Sequence, residues 1–425
     1  MIVTGRIRVP GDKSLTHRAL LLSALARGRS RIGGALTSFD ARSSARVLRQ
    51  LGAGISALRD GQIVVVEGRG KLRTPADTLV CGNSGTTTRL LLGMLAGFPL
   101  RATLTGDRSL RRRPMRRVTV PLAAMGARFT PDQPENLPLT IRGGRLTAIE
   151  WDMPVSSAQI KSCLLLAGVC GGVKVAVREP HGRSRDHTER MLRSFGYAVT
   201  ESGGWIRFAP TGVIHPFEVD IPGDPSSAAF PIGAALLAEG GTLAIEGVGL
   251  NPTRTGFLDV LRRMGAEVSL EGQGEQLGEP VGTLVTGPAA LRATEVRPAE
   301  VPALIDEIPL LAVLASRASG TTIFREVGEL RVKESDRLGL IADNLRALGA
   351  RAAVEGDDLI IEGGNAVPAG KVRTDGDHRI AMAFAVLGTV PGARIRIDNL
   401  ACAAVSYPGF PAMLKAIAVR KRRPA

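Results

Sequence analysis

Six stretches of the chain are apolar at nearly every position and then run into glycine and a short β-like segment: "LLLSALARGRSRIGG", "LLLGMLAGFPLRATLTG", "CLLLAGVCGGVKVAV", "IGAALLAEGGTLAIEG", "LLAVLASRASGTTIF" and "AMAFAVLGTVPGARIRI". Their Leu, Val, Met and Ala recur at helical spacing with Gly near the end, so each predicts a helix followed by a strand. Runs such as Leu90 to Leu95 and Leu310 to Leu314 have no polar face, which predicts helices enclosed on all sides. A second pattern interleaves with the first: a helix ending in Gly, then strand, turn and strand. It is read in "VLRQLGAGISALRDGQIVVVEG", "PLAAMGARFTPDQPENLPLTIRG", "MLRSFGYAVTESGGWIRFAP", "VLRRMGAEVSLEG" and "NLRALGARAAVEGDDLIIEG", while "FPAMLKAIAV" supplies a sixth helix without its hairpin.

Together the two patterns predict a βαβαββ unit, repeated at roughly 70 to 85 residues by the spacing of Gly52, Gly126, Gly196, Gly265 and Gly349, too long for an ordinary solenoid. Six such units suggest an α/β protein of two domains, three units in each, with helices as the core and sheets outside. The N-terminal "IVTGRIRVP" is the strand available to replace the missing sixth hairpin. The chain then crosses between the halves twice, at the turn-rich Pro10 to Asp12 and at Ile221 to Ser227. The expected domains are therefore residues 1–10 with 225–425, and residues 11–224.

With 425 residues the chain has room for two to four domains at about 100–200 residues each. A formal charge of +15 points to an anionic partner, which could be nucleic acid, a membrane surface or a small polyanion. The four cysteines, Cys81, Cys163, Cys170 and Cys402, form no C-x-x-C pair, so neither a disulfide framework nor a zinc site is indicated and a reducing cytoplasm is expected. The N-terminus lacks an apolar signal core, and no apolar run approaches the ~20 residues of a membrane span.

Candidate chemistry gathers at the starts of the apolar helices, where unpaired N–H groups favour anions. "VPGDKSLTHRA" places Lys13, Ser14, His17 and Arg18 there, but Asp12 separates Gly11 from Lys13 and no glycine stands four residues earlier, so this is not a nucleotide P-loop. A solvated first turn or a phosphate or carboxylate site are the two readings. "CGNSGTTTRLLLGML" sets Asn83, Ser84, Gly85 and Thr86 before another apolar helix, as ordinary capping or as an anion site. The arginines of "GDRSLRRRPMRR" suit a solvated face or nucleic acid, although the low aromatic content weakens binding by base stacking. "SSAQIKS", Ser156 to Ser162, offers hydroxyls, an amide and Lys161 to a polyhydroxylated anion. "REPHGRSRDHTERML" adds His181, Arg183, Arg185, His187 and Glu189 without any metal-ligand spacing. In the second half, Asp306 and Glu307 in "LIDEIPLLAVLA", Lys333, Glu334, Asp336 and Arg337 in "VKESDRLG", and Asp377, His378 and Arg379 in "DGDHRIAMAFA" each lead into apolar helices. Anion sites on both halves point to a cleft closing on a small, highly anionic substrate pair. Asp306 and Glu334 among those cations suit proton transfer, worth about 10²–10⁴-fold in rate.

In their order along the chain, "PGDKSLTHRALLLSALA", "GNSGTTTRLL", "RRRPM", "SAQIKS", "GDPSSAAF", "DEIPLLAVLA", "RVKESDRL" and "GDHRIAMA" closely resemble the 5-enolpyruvylshikimate-3-phosphate synthases, over nearly the whole chain. The resemblance implies a two-domain inside-out α/β barrel of six βαβαββ units, with the active site between the domains. It implies addition of the 5-hydroxyl of shikimate-3-phosphate to C2 of phosphoenolpyruvate with protonation at C3, then loss of phosphate and a proton. Neither metal nor organic cofactor is implied, and the expected partners are these two substrates alone, with no nucleic acid, no membrane and a monomeric, cytoplasmic protein.

Carried over by motif, Lys13, Ser14, Arg18, Ser157, Ala158, Gln159, Arg185 and Lys333 would hold shikimate-3-phosphate, with Asp306 at its 5-hydroxyl. Lys13, Asn83, Gly85, Thr86, Arg113, Gln159, Arg337 and Arg379 would hold phosphoenolpyruvate, and Glu334 would exchange protons at its methylene carbon. Lys13, Asp306 and Glu334 would titrate as a coupled set. Val405 in "AVSYPGF" stands where many members carry Lys, so one usual phosphoenolpyruvate contact is absent; with "SAQIK" and "RDHTE" this resembles the subgroup often less sensitive to glyphosate. Gly85 nevertheless leaves room for that inhibitor where some insensitive relatives have Ala. The related transferases acting on UDP-N-acetylglucosamine generally use a loop Cys, and "RRRPM" has none. A nucleic-acid-binding repeat protein would explain the charge but leave Asp306 and Glu334 without a role.

Overall fold

The computed structural model describes residues 1–180 and 183–419; His181 and the basic tail "RKRRPA" lie outside the described residues. The chain divides into two compact units, one of Met1–Pro10, Pro222–Gly274 and Pro280–Ala425, the other of Gly11–Ile221 with Glu275–Glu279. The second crossing falls at Ile221–Pro222 rather than after residue 224. Asp224 N–H donates to Pro10 O and Gly223 N–H to Gly247 O, which ties residues 222–224 to the unit containing the N-terminus.

In the Gly11–Ile221 unit the helices are α1 (Lys13–Leu25), α2 (Phe39–Gln50), α3 (Gly85–Ala96), α4 (Arg116–Ala124), α5 (Ala158–Gly171) and α6 (His187–Ser194). Its three sheets are built alike. In spatial order they run Glu218–Asp220, Arg27–Gly33, Val64–Arg69, Gly54–Ile55; then Leu79–Val80, Arg101–Thr105, Leu139–Arg142, Arg128–Thr130; then Ile149–Asp152, Val175–Arg178, Trp205–Ala209, Ala198–Ser202. In each, the first pair is parallel and the other two are antiparallel. In the second and third sheets α3 and α5 supply the helical crossover that a parallel pair needs, whereas the first sheet takes its parallel partner from Glu218–Asp220, far along the chain; in all three the last antiparallel pair is formed by consecutive strands. Strand residues alternate: Leu139 and Ile141 are buried while Arg142 is exposed, as a sheet covered on one face requires.

The same physics explains the apolar helices. Residues Leu90 to Ala96 of α3 and Ile160 to Gly168 of α5 are buried all round, so they have neighbours on every side. The two helices pack on each other, and a Cβ at Gly93 would fall 2.0 Å from Cys163 O, so only glycine permits that approach.

The other unit contains α7 (Pro225–Leu236), α8 (Gly256–Arg263), α9 (Ile308–Ala315), α10 (Arg337–Ala347), α11 (His378–Leu387) and α12 (Phe410–Ile417). Every residue of α7 and α9 is buried, and α11 packs on both. Two four-stranded sheets repeat the order seen above: Gly5–Ile7, Leu243–Gly249, Glu279–Thr286, Val268–Gln276, and Glu295–Val296, Thr321–Phe324, Asp358–Glu362, Arg351–Glu355. Ala369–Val372 pairs in parallel with Arg394–Ile397.

The N-terminal stretch does two jobs instead of the single one expected. Ile2–Val3 pairs antiparallel with Ala418–Val419, directly after α12, in place of a hairpin. Gly5–Ile7 then changes partner and runs parallel to Leu243–Ile245. The switch occurs at Gly5, whose φ of +130° is open to glycine. No helix among the described residues is long and apolar enough to cross a membrane.

Candidate active site

In the Gly11–Ile221 unit the anion-binding candidates sit on the first turns of α1, α3 and α5. Each turn is capped by a side chain: Asp12 accepts from Leu15 N–H at 2.8 Å, Ser84 from Thr87 N–H at 3.1 Å, and Ser157 from Ile160 N–H at 3.5 Å. Capping fixes the remaining N–H groups of each turn in direction, and the helix dipole adds to their pull on an anion. Lys13, with a side chain 22% exposed, is paired with the almost buried Asp40. Ser14 beside it is half-buried.

Around α3 the cations form a connected set. Arg113 Nη2 donates to Asn83 Oδ1 at 2.6 Å, and Asn83 Nδ2 donates to Asp107 Oδ2 at 2.6 Å. Arg89 Nη1 donates to Gln159 Oε1, and its Nη2 donates to Pro114 O at 3.0 Å; Gln159 Nε2 in turn donates to Thr86 Oγ1 at 3.1 Å. A Cβ at Gly85 would lie 3.4 Å from a terminal nitrogen of both Arg113 and Arg89, so a methyl group there would pack directly against both guanidiniums. Asn83, Gly85, Thr86, Arg113 and Gln159 are thus brought together, and Arg89 joins them.

Arg18 turns inward, 4% exposed. Its Nε donates to Thr188 Oγ1 at 2.7 Å, Nη2 to Ser162 Oγ at 2.7 Å and Nη1 to Ser14 O at 3.0 Å. Burial lowers its pKa to about 10, which leaves it charged at neutral pH. Ser157, Ala158 and Arg185 are half-buried.

Two readings of this unit are corrected. Lys161 offers nothing to a ligand: it is wholly buried, 2.9 Å from Glu179 Oε2 and 2.8 Å from Glu189 Oε1. His187 Nδ1 lies 2.8 Å from Glu279 Oε1, and Glu189 faces Lys161. His17 is not exposed to an anion but is buried, sharing a 2.7 Å hydrogen bond with Ser44 Oγ, which continues through Thr87 Oγ1 to the capping Ser84 Oγ.

The other unit builds its site on the starts of α9, α10 and α11. Arg337 is fully buried, and its three nitrogens divide among three carboxylates: Nε donates to Asp377 Oδ2 at 2.7 Å, Nη1 to Asp306 Oδ1 at 3.3 Å and Nη2 to Glu334 Oε2 at 2.5 Å. Burial opposes the charge of Arg337, but Asp377, Glu334 and Asp306 overcome it and raise its pKa above the ordinary value. Burial likewise works against ionised Asp377, yet Arg337 and His378 hold it below the usual carboxylate range. Asp377 also caps α11 by accepting from Arg379 N–H at 2.9 Å.

Arg379 closes the group. Its Nη1 donates to Asp306 O at 3.0 Å, and its Nη2 stands 3.6 Å from Asp306 Oδ2. Glu307 behind it is buried and accepts from Ser226 Oγ, which itself accepts from Arg254 Nη2 at 2.8 Å. Burial, with Asp306 adding to it, pushes Glu307 above the usual range against the pull of Arg379. Burial also pushes Lys333 below the usual lysine value, opposed by Asp306 and Glu329. Asp306, with its side chain 14% exposed, and Glu334, 30% exposed, keep a face toward solvent.

Asp40, Arg89, Ser226 and Arg254 were not singled out from the sequence. Arg89 had a signal, a lone cation within the apolar "TTTRLLLGML". Asp40 had none beyond its place in a helix first turn.

Two buried imidazoles make a stability prediction. Burial lowers His17 to about 3 and His378 to about 4. The unfolded chain takes up these protons below about pH 6.5 while the folded protein refuses them, so stability present above pH 6.5 is lost as pH falls toward 4. Each contributes up to about 1.4 kcal/mol per pH unit. Urea unfolding between pH 4.5 and 7 should show a shallower pH dependence in His17→Asn than in the parent; an unchanged slope would contradict it.

Against this geometry the comparisons with known proteins are consistent. A family model described as EPSP synthase (3-phosphoshikimate 1-carboxyvinyltransferase) matches residues 2–414. The chain is 47% identical to the 3-phosphoshikimate 1-carboxyvinyltransferase of Gluconobacter oxydans, over 98% of this chain and 95% of the relative. It is 48% identical to that of Thermus thermophilus, over 96% and 94%. The solved EPSP synthase from Acinetobacter baumannii superposes with a TM-score of 0.87 at 38% identity, over 98% of this chain and 96% of that one. The enolpyruvyl transferase NikO from Streptomyces tendae, with a TM-score of 0.76 at 19% identity, over 98% of this chain and 95% of that one, shares the fold.

Proposed function

The chain belongs to the EPSP synthase family and transfers the enolpyruvyl group of phosphoenolpyruvate to shikimate-3-phosphate; we propose that Asp306, Glu334 and Lys13 carry the proton transfers and that the surrounding cations hold the two anions. The observation that carries the assignment is the division of Arg337 among Asp306, Glu334 and Asp377, with Arg379 against the first of these. A site for binding anions alone would not place carboxylates among its cations; one that must also move protons has to.

In this reading Asp306 takes the proton of the 5-hydroxyl as its oxygen adds to C2 of phosphoenolpyruvate, and Glu334 delivers a proton to C3. Lys13 protonates the phosphate as it leaves and is reprotonated from Asp306, while a proton at C3 returns to Glu334, so each of the three groups ends as it began. Shikimate-3-phosphate is held by Lys13, Ser14, Arg18, Ser157, Ala158, Gln159, Arg185 and Lys333. Phosphoenolpyruvate is held by Lys13, Asn83, Gly85, Thr86, Arg113, Gln159, Arg337 and Arg379. Arg337 reaches an anion only with N–H bonds that its three carboxylates leave, so its larger effect is to hold Asp306 and Glu334 in place and to set a fixed positive charge beside the reacting anions. Orienting two mutually repelling anions is worth about 7–11 kcal/mol, and fixed cations stabilise developing charge without reorganising.

The repeated sheet order supports the finer fold reading, six βαβαββ units with helices inside. The protein acts as a cytoplasmic monomer on its two small substrates, with neither nucleic acid nor membrane as partner. Phosphate release by purified protein in chelator tests the function. Release is expected only when both substrates are present. No release with shikimate-3-phosphate, or release that continues when either substrate is omitted, would overturn it.

A further inference from the structure

Lys161 and Glu179 take no part in the assignment above, yet they form a deeply enclosed ion pair, with side chains 0% and 4% exposed. Lys161 Nζ, besides its two carboxylates, donates to Ser184 O at 3.3 Å. Glu179 Oε2 accepts not only from Lys161 but also from Ser184 N–H at 3.2 Å. One ion pair thus holds both polar groups of the Ser184 main chain, and the next residue is Arg185.

Energetics argue that this arrangement is there for position rather than for stability. A buried pair repays the desolvation of its charges only in part, and an apolar replacement of similar volume is often as stable. A clamp on the N–H and C=O of one residue, by contrast, fixes the direction in which the chain leaves it. The residue beside Lys161 does the same for a second arginine: Ser162 Oγ accepts from Arg18 Nη2 and from Thr188 Oγ1, both at 2.7 Å. Arg18 and Arg185 are near enough to repel, since Arg185 is among the charges that lower the Arg18 pKa. Two like charges converging on one anion must be held there before it arrives.

We propose that Lys161 and Glu179 are positioning residues for shikimate-3-phosphate, their buried ion pair fixing the Ser184 main chain and so aiming Arg185 at the substrate. The proposal rests on Arg185 being a contact to that substrate. Steady-state kinetics of Glu179→Ala, Arg185→Ala and the double variant test it. Glu179→Ala should raise KM for shikimate-3-phosphate about tenfold, leaving KM for phosphoenolpyruvate within about twofold, because misplacement of a binding group is felt at the ligand it holds. Glu179→Gln, whose amide oxygen still accepts from Ser184 N–H, should recover most of the loss. In the Arg185→Ala background, Glu179→Ala should add nothing further. Effects that multiply in the double variant would overturn the positioning role. An unchanged KM in Arg185→Ala would instead overturn the assignment of Arg185. Should Glu179→Ala fail to fold, Glu179→Asp, which draws the carboxylate back from Ser184, replaces it in the same cycle with the same outcomes.

Discussion

Asp306→Asn should lower kcat by about 10²–10⁴-fold, the range lost when a placed general acid or base is removed. Asparagine keeps the shape of the side chain, and its amide oxygen can still accept from Arg337 Nη1, which stands 3.3 Å from the native Oδ1. The bond from Arg379 Nη1 goes to the main-chain oxygen of residue 306 and survives the change. Both arginines therefore stay in place, and KM for phosphoenolpyruvate should move only a few-fold. The alanine variant is a poorer test, because it would release the arginines as well as removing the base. An Asn variant with undiminished kcat would take Asp306 out of the proton-transfer scheme, however well it bound both substrates.

The second large effect is on stability. Replacing Arg337 by Leu leaves Asp306, Glu334 and Asp377 without the charge that all three share, and removing one partner from a buried ion pair costs about 3–5 kcal/mol. Lysine should not rescue it, since one ammonium cannot meet three carboxylates approached from three directions. The loss should be greatest at neutral pH and shrink in acid. Asp377, held below its usual range by Arg337, contributes stability that is present above its unfolded pKa and lost as pH falls through the lower folded value. Without Arg337 that contribution is already gone, so parent and variant converge as the carboxyls protonate. Urea unfolding of both proteins at pH 7 and at about pH 3, below the unfolded carboxyl pKa, measures this; an Arg337→Leu protein of parental stability at pH 7 would mean that the carboxylates find other compensation.

The two arguments meet in Asp306 and Arg337, within one group completed by Glu334, Asp377 and Arg379, which the sequence marks individually and which α9, α10 and α11 bring together. Their legibility came from position. Each stands at or just before the first turn of an apolar helix, where a charge is not needed for burial and a capping or anion-binding role is the natural explanation. The helices themselves were equally legible, because a run without a polar face, such as Ile308–Ala315, can be stable only where other chain covers every side.

Lys13 and Lys161 mark the boundary of what the sequence determined. Both stand among small polar residues, Asp12 and Ser14 about the one and Ser156, Ser157 and Ser162 about the other, and both precede apolar helical runs, so the local chemistry of the two is alike. Lys13 is the first residue of α1 and keeps part of its surface outside; Lys161 lies a turn further into α5, on the inner side, where Glu179 and Glu189 close over it. Local pattern, carried by hydrogen bonds and side chains a few residues apart, determined the helices, their caps and the repeat of strand and helix. Which charge meets which was decided only in the tertiary structure: Arg337 faces Asp306 and Asp377 across thirty-one and forty residues of chain, and the N-terminal strand finds Leu243–Ile245. Such pairings are set by the packing of whole elements, and no spacing along the chain records them.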